Sequence, residues 1–284
     1  MVKIICLANS WKYQERCIAG INLETGEWVR PVCSEYPDGR VPQHIRLIGG
    51  TEPALLDIID IPLGESDSDY GFSCENVLIS DGCWRRVKSV APTAVLQYCQ
   101  DDIEILHNSA RYVEVAELQY LPFRERQTLQ LVYTPELKIE RYGSKWKGSF
   151  VTSSGKCLTK ASITDPVFIE KLASGYRPQN PCLITVSLSM PFRPSEDWEG
   201  EPPCWKLIAG VIELSDSDRI LVEMRRLGWS IEQGRQYLQE YYGKRSRIEL
   251  TCDELKEFLS YLTTLEPATY HNLNAEPITD LENS

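Results

Sequence analysis

The sequence predicts a mainly-β protein: two successive small antiparallel β modules at residues 1–115 and 116–214, a helical module at 215–265 and a polar tail at 266–284. Three observations carry this. Short apolar runs punctuated by Gly, Pro, Asp and Asn fill the first two-thirds of the chain, the pattern of a small barrel or sandwich. The same grammar restarts near Leu118. After Ser215 the apolar spacing changes to that of amphipathic helices.

In the first module, residues 3–8, 16–23 and 28–32 are strand-like, and Glu24-Thr25-Gly26-Glu27 is a hairpin-turn signal between the last two. Asn9, Ser10, Trp11, Lys12 and Arg16 read as the first connection between strands. Residues 54–63, bounded by Pro53 and Gly64, are rich in Leu and Ile and read as a buried central strand. Residues 91–107 predict a helix, with Pro92 permitted in its first turn. In the second module, 129–134, 137–142, 149–152, 156–163, 183–190 and 206–214 are strand-like. Residues 191–204 hold four prolines and four acidic residues and read as a mobile loop.

Helical spacing marks 218–226, 230–242 and 251–265. In the last, Leu255, Phe258, Leu259 and Leu262 form one apolar stripe. Thr251 with Glu254 and Ser230 with Gln233 have the spacing of capping boxes. Gly228 and Gly243 stand where C-terminal caps belong.

Net charge over the 284 residues is −11, which taken alone argues against a polyanion partner. The cations are unevenly placed. Residues 111–192 hold 11 Lys/Arg against 7 Asp/Glu, while 1–110, 193–214 and 215–284 are each net negative. Ten cysteines are scattered without a C-x-x-C pair, which disfavours a zinc ribbon. Most sit in apolar runs and read as small reduced core residues of a cytoplasmic protein. The opening apolar run is too short for a secretory signal, and no segment has the length of a membrane span.

The densest chemistry lies at 141–150. Arg141, Lys145 and Lys147, with Lys156 just beyond, alternate with Tyr142, Trp146 and Phe150. Successive strand residues face opposite sides, so one face can carry rings while neighbouring loops carry charge. Rings beside cations suit a single-stranded nucleic acid, whose bases stack and whose phosphates are neutralised. Trp146 and Tyr142 are the expected stacking rings. The competing reading is a hairpin whose lysines only confer solubility and whose rings belong to the core.

Several motifs together resemble the prokaryotic dual OB-containing domain family: Cys6-Leu7-Ala8-Asn9-Ser10, Arg16-Cys17-Ile18-Ala19-Gly20, Trp28-Val29-Arg30-Pro31-Val32 and Leu55-Leu56-Asp57-Ile58-Ile59 in the first module, and Lys160-Ala161-Ser162-Ile163-Thr164-Asp165-Pro166 and Trp205-Lys206-Leu207-Ile208-Ala209-Gly210 in the second. The resemblance covers roughly residues 1–214. It implies two tandem OB-type barrels, a nucleic-acid-sensing role and association with prokaryotic defence or DNA-processing systems, without an established catalytic activity. Residues 227–262 are similar to small three-helix, ubiquitin-associated-like appendages, which implies docking of DNA or a partner protein through 215–265.

In the first module Trp11, Lys12, Arg16 and Arg30 are candidate nucleic-acid contacts. A turn whose Asn and Ser bond their own backbone, and a surface Arg30 paired with Glu27, explain the same residues structurally. Lys244 and Arg245, between helices, could touch a DNA backbone or form a solvated connection balanced by Glu240 and Glu249. Asp165 before Pro166 could serve as a catalytic acid, but that dipeptide is first a turn initiator. Glu136 with Lys138 and Glu254 with Lys256 match a nuclease-like E-x-K fragment. His44, His107 and His271 are isolated from one another. No P-loop, G-x-S-x-G or H-E-x-x-H motif occurs. The reading is therefore a non-catalytic binder of single-stranded DNA or RNA, needing no cofactor or metal. The alternatives are a protein-interaction adaptor and a cryptic nuclease.

Overall fold

The computed structural model describes residues 1–64, 69–100 and 103–266. Apart from Glu266, the expected polar tail lies outside the described residues, as does His271. The chain forms one compact unit over Met1–Leu214 and a second from Ser215.

The first sheet contains β1 (Val2–Lys12), β2 (Glu15–Asn22), β3 (Trp28–Val32), β4 (Asp57–Ile61), β5 (Asn76–Leu78) and β6 (Arg85–Ser89) in the order β5-β3-β2-β1-β4-β6. A one-turn helix, α1 (Gln43–Arg46), lies between β3 and β4. The pairs are antiparallel except β3 with β5. An antiparallel bridge joins Leu63, just after β4, to Ile79, just after β5. Residues Ile4 to Ala8 are all buried, because β1 is covered on both faces. Ile4 and Cys6 enter this sheet's core, and Ala8 packs toward the second sheet. A run that is apolar without alternation is what double coverage requires.

One expectation is corrected here. Asn9 to Lys12 are strand residues, and the connection is the two-residue turn Tyr13-Gln14, with φ of 47° and 69°. Both central residues left-handed is the turn that suits the twist of a tight hairpin.

The second sheet contains β7 (Tyr112–Val113), β8 (Leu129–Thr134), β9 (Leu137–Tyr142), β10 (Lys145–Val151), β11 (Cys157–Ile163), β12 (Cys182–Leu188) and β13 (Cys204–Glu213). Its order is β8-β12-β13-β11-β10-β9, with β7 on β13. Two short helices accompany it, α2 (Val115–Tyr120) and α3 (Pro166–Ala173). Thr134 pairs with β12, while Leu137, three residues on, pairs with β10. So β8 and β9 are two arms of one chain bent at Pro135-Glu136.

The helix expected over 91–107 is absent. A 3-10 segment spans Pro92–Tyr98 and another Ile105–His107, with Leu106 and His107 at φ of 47° and 77°. The sheet competes for this backbone. Gln100 N–H donates to the Leu131 carbonyl at 2.9 Å. The buried Gln130 amide donates to Gln100 O at 2.8 Å and accepts from Leu106 N–H at 2.6 Å, fixing both residues to β8. Helix α3 was not anticipated. Asp165 is its N-cap, accepting from Phe168 N–H, and Pro166 opens it.

Small residues let the two sheets meet. Ala8, Ala19 and Ala209 pack with Leu129 against Trp28. A Cβ added at Gly210 would overlap the Leu7 carbonyl. Thr185 Oγ1 donates to that carbonyl at 2.6 Å, and Trp11 N–H donates to Thr164 O at 2.7 Å. Glu75 is buried, and its carboxylate accepts the N–H groups of Thr128 and Leu129.

In the second unit, α4 (Asp216–Leu227), α5 (Ile231–Tyr242) and α6 (Cys252–Thr264) surround Ile220, Met224, Leu238, Phe258 and Leu262. Capping boxes form at Ser215, Ser230 and Thr251, and Gly228 and Gly243 are left-handed caps at φ of 69° and 66°. None of the ten cysteines is joined in a disulfide. Among the described residues, no helix is long and apolar enough to cross a membrane.

Candidate nucleic-acid interface

Strand alternation decides which side chains of the second sheet meet solvent. Leu137, Trp146, Phe150, Leu158, Ala161 and Ile163 point into its core. Gly148 belongs to that inner set, since a Cβ there would collide with the Ile208 side chain. This corrects the role expected of Trp146. Its indole is 7 % exposed, covered by the guanidinium groups of Arg141 at 5.3 Å and Arg177 at 4.9 Å. It is a core residue with cationic lids, and no base can stack on it from solvent.

The opposite face of β9, β10 and β11 carries the exposed chemistry. Tyr142 is 47 % exposed, and its hydroxyl donates to Glu140 at 2.7 Å. The Lys160 ammonium lies 5.7 Å from the Tyr142 ring. Lys160 reaches there from an irregularity, with φ of 52° and its N–H donated to Ser149 Oγ at 2.8 Å. Between them the Lys147 ammonium donates to Ser162 Oγ at 2.8 Å. Partial burial, then the charges of Arg111 and Lys145, push the Lys147 pKa down. Glu140 stands across from Lys147 on this face, so Lys145, Lys147, Lys160 and Arg111 outnumber it and leave a local excess of positive charge.

A ring cluster continues this surface. β11 and β13 run parallel with Ser162 beside Leu207, so Trp205 falls beside Lys160. The Trp205 ring centroid is 5.3 Å from Tyr112, 5.6 Å from Trp198 and 6.0 Å from Phe192, and its Nε1–H donates to Phe192 O at 3.0 Å. Arg111 links rings to cations. Its guanidinium lies 5.9 Å from the Trp205 ring and donates to Lys160 O at 3.1 Å. Glu196, Asp197, Glu199 and Glu201 follow on the loop that carries Trp198, giving the strip one acidic edge. The arrangement can stack planar groups at one end and hold anions along the strands.

Of the residues expected from sequence, Tyr142, Lys145 and Lys147 belong to this strip. Arg141 covers Trp146 and donates to Gly143 O at 3.0 Å. Lys156 is paired with Glu104 at 2.7 Å. Arg30 lies at the seam between the sheets and donates to Ser73, Asn76 and Ser187 rather than pairing with Glu27. Lys12 is held by Asp38 at 3.4 Å. Trp11 is 49 % exposed, with the Arg16 guanidinium 4.3 Å from its ring. In the second unit Lys244 pairs with Glu254, and Arg245 donates to the Gln239 side chain at 3.3 Å. Asp165 is buried, which raises its pKa, while the Phe168 and Val211 amides oppose the shift. Among the described residues, no group of three or more His, Cys, Asp or Glu is placed to hold a metal ion.

Sequence reasoning missed Arg111, Tyr112, Lys160, Phe192, Trp198 and Trp205. Alternation puts Trp205 on the outer face because Cys204 and Lys206 on either side of it are buried, and the burial of Lys206 is not visible in the sequence.

A stretch of 58 residues is 48% identical to an uncharacterised protein, slr1353, of Synechocystis sp. (strain ATCC 27184 / PCC 6803 / Kazusa), and spans 20% of this chain and 20% of that protein. The crystal structure of tetrameric p202 HIN2 aligns with 75% of this chain and 92% of its own at 7% identity, with a TM-score of 0.27. A murine DNA-binding protein bound to double-stranded DNA aligns with 75% of this chain and 95% of its own at 9% identity, also with a TM-score of 0.27. Scores that low carry no weight for fold or function. The model of the dual OB-containing domain matches residues 2–211.

Proposed function

Because the chain belongs to the dual OB-containing domain family, we propose that it is a non-catalytic binder of single-stranded nucleic acid, with its main contact surface on the outer face of the second sheet. The observation that carries this is the continuous strip of Tyr142, Lys147, Lys160, Arg111 and the Trp205 ring cluster. OB barrels take single strands on such a face and on the flanking loops.

Each sheet is read as one OB barrel. Both contain a three-strand antiparallel meander and one parallel pair, β3 with β5 and β11 with β13. The bend between β8 and β9, and the bridge from Leu63 to Ile79, are the places where each sheet would close. The helical unit is assigned a recruiting role, supported by exposed Tyr241 and Tyr261 around the stacked Tyr237. Action by occupancy and recruitment fits a place in a defence or DNA-processing system. One observation favours a protein ligand for the same rings, namely the acidic edge beside Trp198.

Fluorescence anisotropy with a labelled oligonucleotide at low salt tests the reading. Wild type is expected to bind, and Lys147→Glu with Lys160→Glu to lose at least about tenfold, because two attractions become repulsions. Trp198→Ala is expected to lose about 1–3 kcal/mol, the value of one base–ring stack. A wild-type protein that binds no oligonucleotide at low salt overturns the proposal in favour of the adaptor.

A further inference from the structure

We propose that the first module's β1–β2 hairpin completes this site: a single strand lying along β11 ends on the Trp11 ring, so the protein selects strands long enough to reach from the Trp205 cluster to Trp11. This rests on the nucleic-acid reading above and adds a length requirement to it.

Lys160 stands beside Trp205 and shares Arg111 with it. Two residues on, Ser162 holds the Lys147 ammonium at 2.8 Å. Two further on, the Thr164 carbonyl accepts the Trp11 N–H at 2.7 Å. Four strand steps cover about 13 Å. A cationic track of that length therefore has a ring cluster at one end and a half-exposed indole at the other.

Trp11 is held for such a contact. Its backbone is fixed to Thr164, and the Arg16 guanidinium lies on its ring at 4.3 Å. Arg16 is incompletely paired: Nε and Nη1 have no hydrogen-bond partner, and its nearest carboxylate oxygen, on Glu52, is 3.9 Å away. Glu52, Asp165 and Glu15 balance its charge, so the guanidinium serves to back the indole on one side and hold it in place, leaving the half-exposed ring for a base to stack on. The turn residue Tyr13 beyond it is 77 % exposed.

The test is anisotropy on oligothymidylates of about two and about ten nucleotides, the shorter unable to span the track and the longer within OB site sizes, with matched oligouridylates to separate DNA from RNA. Wild type is expected to bind the longer strand better than the shorter. Trp11→Ala is expected to lose roughly tenfold on the longer strand only, the scale of one base–ring stack. Trp11→Phe, which keeps a ring, is expected to recover most of that loss, and thermal melting checks that the fold is intact. Equal loss at both lengths, or no loss at either, overturns the inference while leaving the nucleic-acid reading standing. Wild type that binds neither strand overturns both.

Discussion

Lys206 shows how far a single side chain can be read. It is buried, and its ammonium donates to Asn108 O at 2.6 Å and Asn108 Oδ1 at 2.9 Å. Burial pushes its pKa from the usual 10.5 down to about 8, against the opposing pull of Glu104 and Glu117. Between pH 8 and 10.5 the unfolded chain therefore binds a proton that the folded chain does not, so stability rises with pH across that window. Below pH 8 both states are protonated and the contribution is flat. Urea unfolding at pH 7, 8, 9 and 10 should show wild type gaining about 3 kcal/mol relative to Lys206→Met, on the order of the cited shift. Parallel curves for the two proteins would contradict this. None of it was legible in sequence, where Lys206 reads as an ordinary strand residue. Trp146 failed for a related reason. The ring-and-cation composition was visible, but composition does not say which of two strand faces is inward. Only the partners of β10 decide that Trp146 and Gly148 share the core side while Lys147 does not.

At the scale of elements, helix ends were the most legible features, because capping depends on residues three or four apart. Ser230 with Gln233 and Thr251 with Glu254 form the boxes their spacing predicts. Residues 91–107 were misread because Gln130, far along the chain, controls their backbone. The seam between sheets depends on equally distant partners, although its Ala8, Ala19, Ala209 and Gly210 fall inside the motifs that carried the family resemblance. Gly210→Ala places a methyl group against the Leu7 carbonyl, and neither backbone can retreat easily. A loss of about 3 kcal/mol is expected, the upper range for overpacking, read as a lower urea midpoint. An unchanged midpoint would mean that the sheets tolerate separation.

For the whole molecule, a net charge of −11 sets the terms of any polyanion contact. The strip offers about four cations to phosphate, so log K should fall against log salt with a slope of about −3 for a single strand. Titrating binding between 50 and 300 mM salt checks this. A slope near zero would mean that the cations of the strip do not meet phosphate. The acidic remainder opposes non-specific binding, so the phosphate contacts are expected within 111–192, the net-positive segment, while the proposed stacking rings Trp198, Trp205 and Trp11 lie outside it.

The alanine–glycine seam has a consequence for dissection of the gene. A truncation ending near residue 115 would strip Glu75 of its Thr128 and Leu129 amides and leave Ala8 and Ala19 facing water. Such a half is expected to collect in inclusion bodies when expressed alone, whereas 1–214 should be recovered as a folded product. The smallest piece that can be inherited, shuffled or fused intact is thus the pair of sheets together.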